Sequence, residues 1–187
     1  VITQDPVDTR GLIRLCHHRW TLRLVVALGP DGSRFAVLGR QLGVARQTLK
    51  RALEVGVDAG WVARNPGYGH PLRPEYLRTP RGQMLAPRCE DVLAHADDEA
   101  LLGRKWTLPV LVVVHEGADR FSSILEALAT ASPRALSRCL DDLVEAGWLD
   151  RAFVGRRPRY QVPASRRPLA EAATRLAEAT SVPATAP

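Results

Sequence analysis

The chain has 187 residues, 45% hydrophobic and 25% charged, the composition of an ordinary globular protein with length for one or two domains. No run approaches 18 apolar residues, Val1 to Arg10 lack the apolar stretch of a signal peptide, and three cysteines make no disulfide framework, so the expectation is a cytosolic protein. Basic residues outnumber acidic ones 26 to 20; residues 1–87 hold 13 basic and 6 acidic residues against 13 and 14 in residues 88–187, so the first half should dominate any long-range attraction to a polyanion.

In chain order, Trp20 to Leu28 predicts an apolar helix and Phe35 to Leu42 a short one with Phe35, Leu38 and Leu42 on one face. A third helix follows with Leu49, Leu53 and Val57 inward, ended by Gly60. Trp61 to Arg64 then reads as a strand, Asn65 to Pro71 as a turn-rich loop, and Arg73 to Arg78 as a returning strand. Pro87 to Leu102 predicts a connecting helix with Pro87 in its first turn. The pattern then repeats. Trp106 to His115 and Phe121 to Ala129 are helices, a third carries Leu136, Leu140 and Val144 inward, and Gly147 ends it. Trp148 to Phe153 and Tyr160 to Val162 form a strand pair, Arg166 to Ala179 a last helix, and residues 180–187 a flexible tail.

The repetition extends to residue identities. Arg19-Trp20-Thr21-Leu22 returns as Lys105-Trp106-Thr107-Leu108, Arg34-Phe35 as Arg120-Phe121, and Ala59-Gly60-Trp61 as Ala146-Gly147-Trp148. Leu49, Arg51 and Leu53 return as Leu136, Arg138 and Leu140, with insertions only in loops. The chain is a duplication of a small domain, too long a unit for a solenoid repeat. Three helices followed by a β-hairpin are the layout of a winged helix-turn-helix. The predicted fold is therefore mainly α with small β-hairpin wings (α+β), in two tandem winged domains forming a pseudo-dimer. The expected domains are residues 1–86, a connecting helix 87–102, and residues 103–179.

The string Gly103 to Pro109, then Gly117-x-x-Arg120-Phe121, Ser132-Pro133-Arg134-x-Leu136-Ser137 and Glu145-Ala146-Gly147, resembles the HxlR-type winged-helix regulators, relatives of the MarR group. The first copy is similar through Arg19-Trp20-Thr21-Leu22, Gly32-x-Arg34-Phe35 and Tyr76 to Gly82. The resemblance implies a nucleoid-associated repressor that binds double-stranded DNA. Family members have one such domain and act as homodimers, so two copies in one chain imply a monomer that acts as a pseudo-dimer. The copies differ at the start of the third helix. Ser132-Pro133 supplies a cap and a first-turn proline, whereas Ala45-Arg46 supplies neither.

Turned outward on the third helices are Arg46, Gln47, Lys50, Arg51 and Glu54 in the first copy, and Arg134, Ser137, Arg138 and Asp141 in the second. Arginine suits guanine and glutamine suits adenine, so these are the candidate base readers. Arg34 and Arg120, each preceding a second helix, and Arg156, Arg157 and Arg159 in the second wing are candidate phosphate contacts, with Tyr68 and His70 in the first wing. Trp20, Trp106, Trp61 and Trp148 read first as packing residues, with Trp20 and Trp106 the candidate walls of an effector pocket. Cys16-His17-His18 lacks metal-ligand spacing, and no cofactor is expected. Cys89 follows Pro87-Arg88 at an expected helix start, which would favour thiolate, and relatives sense oxidants through a cysteine upstream of the Lys-Trp motif. Asp97-Asp98-Glu99 and Asp141-Asp142 read as solvated carboxylates, and no catalytic set is present. Two other functions remain open: a resistance protein that sequesters an aromatic drug or metabolite on the duplicated scaffold, and a protein–protein adaptor.

Overall fold

The computed structural model describes residues 7–29, 31–65 and 75–181. The first copy comprises α1 (Arg10–Leu15), α2 (Thr21–Ala27), β1 (Ser33–Arg34), α3 (Phe35–Leu42), α4 (Arg46–Asp58), β2 (Val62–Arg64), β3 (Glu75–Arg78) and α5 (Pro80–His95). The second comprises α6 (Glu99–Leu102), α7 (Thr107–His115), α8 (Phe121–Ala127), α9 (Pro133–Glu145), β4 (Asp150–Val154), β5 (Arg157–Gln161), a 3-10 turn Ala164–Arg166 and α10 (Arg167–Ser181). These are two tandem winged helix-turn-helix units, mostly helical with small antiparallel sheets. The first sheet has the order β1-β3-β2, with Ser33 opposite Tyr76 and Ala63 opposite Leu77. The second is the hairpin β4-β5, with Ala152 opposite Arg159.

Two local expectations are corrected and a third is extended. The connecting helix begins at Pro80, not Pro87, and ends at His95; Glu99–Leu102 is a separate turn of helix. Its start carries the stronger signal: Thr79 accepts a 3.1 Å bond from the Gly82 N–H and Pro80 occupies the first turn, while Pro87 sits inside the helix. Second, the third helix of the first copy buries Leu49, Ala52, Leu53 and Gly56 and leaves Val57 exposed. Its counterpart buries Leu136, Cys139, Leu140 and Leu143, with Val144 half-buried. The inward stripe follows i, i+3, i+4, i+7, and the backbone of Gly56 meets Val62 where a side chain would collide. Third, the carboxylates stay exposed or half-exposed as read, but each also holds a partner. Asp97 accepts from Arg166 and from Trp148 Nε1, Asp98 caps α6, Glu99 pairs with Arg23, and Asp142 pairs with Arg104. The loop following Asn65, residues 182–187 of the expected tail, Tyr68 and His70 all lie outside the described residues.

The caps follow the sequence. Ser132 accepts from the Ala135 N–H at 3.2 Å, whereas α4 starts at the matched residue Arg46 behind Ala45 with no side-chain cap. Such a difference is worth about 1 kcal/mol of helix stability.

Both copies share one hydrophobic core. Leu85, Ala86, Cys89 and Val92 of α5 and Leu169, Ala172, Ala173, Leu176 and Ala177 of α10 are buried in the same cluster, and α5 and α10 form the most extensive helix–helix contact. α2 packs on α5 as α7 packs on α10, so the two units face each other across this pair. α7 is buried on every side from Thr107 to Val114. α1 lies on α10, where Gly11 abuts Thr180, and the Ser181 hydroxyl donates to the Asp8 carbonyl at 2.9 Å.

The first turn of α5 sits against the backbone just before β2 because Gly82 has no side chain: a Cβ there would stand 2.0 Å from the Trp61 carbonyl oxygen. Gly82→Ala is expected to cost about 1–3 kcal/mol by forcing the backbones apart. Denaturant unfolding measures this as a lowered midpoint, and an unchanged midpoint would contradict so close a packing.

Candidate nucleic-acid interface

On α4 the side chains of Arg46, Gln47, Lys50, Arg51 and Glu54 are exposed, and on α9 those of Arg134, Ser137, Arg138 and Asp141. Burial of the opposite stripe therefore fixes which face each helix offers. Arg46 lies over the Phe35 ring at 5.7 Å, which joins α4 to the start of α3. Lys50 and Glu54 approach to 3.8 Å on the surface, a weak contact that leaves Lys50 available. Asp141 accepts from Arg151 of β4 at 2.7 Å and so ties the second wing to its helix.

Arg34 ends β1 and caps α3 opposite Glu75, and Arg120 caps α8, with its own N–H donating to Ser123 Oγ at 3.1 Å. Both are exposed at helix starts. The second wing turns at Gly155, with φ +65, and Arg156 and Arg157 stand exposed there beside Phe153 and Val154. Arg159 departs from expectation: it is half-buried and pairs with Asp119, so its guanidinium braces the base of the wing.

Sequence reasoning missed two cations. Arg104 and Lys105 line a cleft of about 290 Å³ with Trp106, Ser132, Arg134 and Arg138 at the start of α9. Lys105 lies 4.7 Å above the Trp106 ring, and Arg104 pairs with Asp142. The four cations exceed the single carboxylate, and the helix N-terminus adds its partial positive charge. The matching first-copy positions are His18, Arg19, Gln47 and Arg51. Burial, aided by Arg51 and the neighbouring His17 and Arg19, holds the His18 pKa below the usual imidazole value, so it is neutral at pH 7. The second copy, net acidic as a whole, thus still gathers four cations at this helix start, while the first exposes Arg46, Lys50 and Arg51 on α4. The repeat itself carried the missing signal, since Arg104-Lys105 precedes the tryptophan one turn from the helix start it faces.

The family model for the HxlR-like helix-turn-helix matches this chain twice, over residues 15–99 and 101–181. The chain belongs to the HxlR-like helix-turn-helix family. It is a family of DNA-binding transcription regulators, which makes double-stranded DNA the implied partner. Comparison with curated proteins found no match. In HxlR-like terms, α3–α4 and α8–α9 are the two helix-turn-helix pairs, and the cationic cleft sits at the start of α9. The first family match extends through α5. No helix among the described residues is long and apolar enough to cross a membrane.

The tryptophans divide by depth. Trp61 and Trp148 are buried packing residues, and Trp148 also holds Asp97 through its indole N–H at 3.1 Å. Trp20 and Trp106 are half-buried beneath Arg19 and Lys105. Trp106 lines the cationic cleft without Trp20, so that cleft belongs to the second copy and is not a pocket walled by both. Cys89 is likewise corrected. It lies in the middle of α5, fully buried, and burial pushes its thiol well above the usual value. Burial also pushes Cys16 and Cys139 up to about 12. The helix start that would have favoured a Cys89 thiolate is nine residues away at Pro80. All three thiols of the native chain should therefore react slowly with a thiol-exchange reagent at pH 8 and rapidly once unfolded, with Cys89 last. Fast, preferential labelling of Cys89 in the folded chain would contradict this.

Proposed function

We propose that the chain represses transcription by occupying an operator, with α4 and α9 of one molecule entering successive major grooves of the duplex. The observation that carries this reading is the matched exposure of polar side chains on two recognition helices joined through one core. Gln47, Lys50 and Arg51 on α4, and Arg134, Ser137 and Arg138 on α9, are the base-reading candidates. Arg34, Arg120, Arg156 and Arg157 supply phosphate contacts, and Arg104 and Lys105 add two more beside the start of α9. The chain acts as a pseudo-dimer because α5 and α10 make within one molecule the pairing that a two-fold dimer makes between two. Exposure of both polar faces favours this over sequestration of a drug, which would need no open recognition helix.

The two helices carry different side chains, so the half-sites should differ in sequence. A duplex selected from random sequence provides the test. With about six phosphate contacts, the slope of log affinity against log salt should be roughly −5. Arg138→Ala should relax base preference in one half-site only, costing about 1–3 kcal/mol, and Arg51→Ala should do the same in the other. A flat salt response, or both variants relaxing the same half-site, would overturn the reading.

A further inference from the structure

A sizeable opening lies away from both polar helix faces. It is a cavity of about 500 Å³ where α1 of the first copy meets α7 and α8 of the second. Its volume is that of a site for a drug-sized molecule. Val7, Ile13, Val112, Val113, Ala118 and Ala127 give it an apolar lining. Three charged groups stand at its rim: Asp8, Arg10 and Glu116. Two of these cancel. Arg10 donates to Asp8 through Nε at 3.0 Å and Nη2 at 2.9 Å, and the pairing holds the Asp8 carboxyl below its usual value. Glu116 forms no ion pair among the described residues and stands exposed at the C-terminal cap of α7, where the helix dipole adds negative potential. The rim is therefore locally acidic on a chain whose net charge is +6.

We propose that this cavity binds a lipophilic organic cation, with an aromatic or aliphatic body against the apolar lining and its charge facing Glu116. The cavity also touches Ala129 and Thr130, which lie in the turn between α8 and α9. An occupant thus bridges the first helix of one copy and the helix-turn-helix of the other. On the regulator reading, on which this consequence alone rests, the site is where a signal acts on the second recognition helix.

The test uses tetraphenylphosphonium and tetraphenylborate, ions of nearly the same shape and opposite charge, titrated calorimetrically into the DNA-free chain. Binding is read without DNA, so failure here is distinct from failure of the regulator reading. The phosphonium should bind with one-to-one stoichiometry and about tenfold more tightly than the borate, against the sign of the whole molecule's charge. Glu116→Gln, at an exposed position that carries no packing, should remove most of that preference while the chain stays folded. Ala118→Trp should fill the cavity and weaken both ions. Tighter binding of the borate, or a phosphonium affinity unchanged by both variants, would overturn the proposal. Absence of phosphonium binding would do so too.

Discussion

The contact between α5 and α10 is the constraint from which the rest of the architecture follows. Each helix is the last element of its copy, and each carries the apolar face on which its own first family-motif helix, α2 or α7, is laid. The small residues Ala170, Ala172, Ala173 and Ala177 keep side-chain volume low along α10, which lets α1, α5 and α7 all gather around it. Because both copies bury their apolar side chains in one cluster, neither α4 nor α9 is anchored independently of the other, and their relative placement is a property of a single chain.

Within that shared frame the copies have diverged in function-bearing detail. The second has the capped α9, the basic cleft at its start, and a wing fastened by Arg151–Asp141 and Arg159–Asp119. The first has an uncapped helix, a neutral His18 in place of Arg104, and a third strand, β1, that braces its sheet. Acid should loosen part of this frame. Hydrogen bonding from Arg166 holds the Asp97 carboxyl below its usual value, so the stability it lends is present above about pH 4 and is lost as pH falls through its folded-state pKa.

Much of the fold was legible because the duplication doubled every signal. Matched tryptophans, matched glycines at helix ends and matched apolar spacings reinforced one another across 84 to 87 residues. Errors arose where one residue admitted two roles. Pro87 resembles a helix start, but the Thr79-Pro80 pair does that job and Pro87 rides inside the helix. Val57 fits the i+8 position of an apolar stripe, yet Gly56 takes the inward place because β2 approaches too closely for a side chain. The exposed polar faces of α4 and α9 could be read from periodicity, since they are what remains after the buried face is removed. Arg159 could not, because its partner Asp119 is forty residues away in a different loop. The cavity under α1 was equally invisible: its walls come from segments about a hundred residues apart, and no repeat marks them.

The proposed function has one chain supplying both DNA-reading helices through the α5–α10 pair. Its most direct test is the mass of the complex formed with a minimal selected duplex, measured by native mass spectrometry at protein in excess of DNA. One chain per duplex, on a site whose half-sites differ and lie about 10 base pairs apart, is the predicted result. Two chains bound to the two arms of a perfect inverted repeat would contradict it.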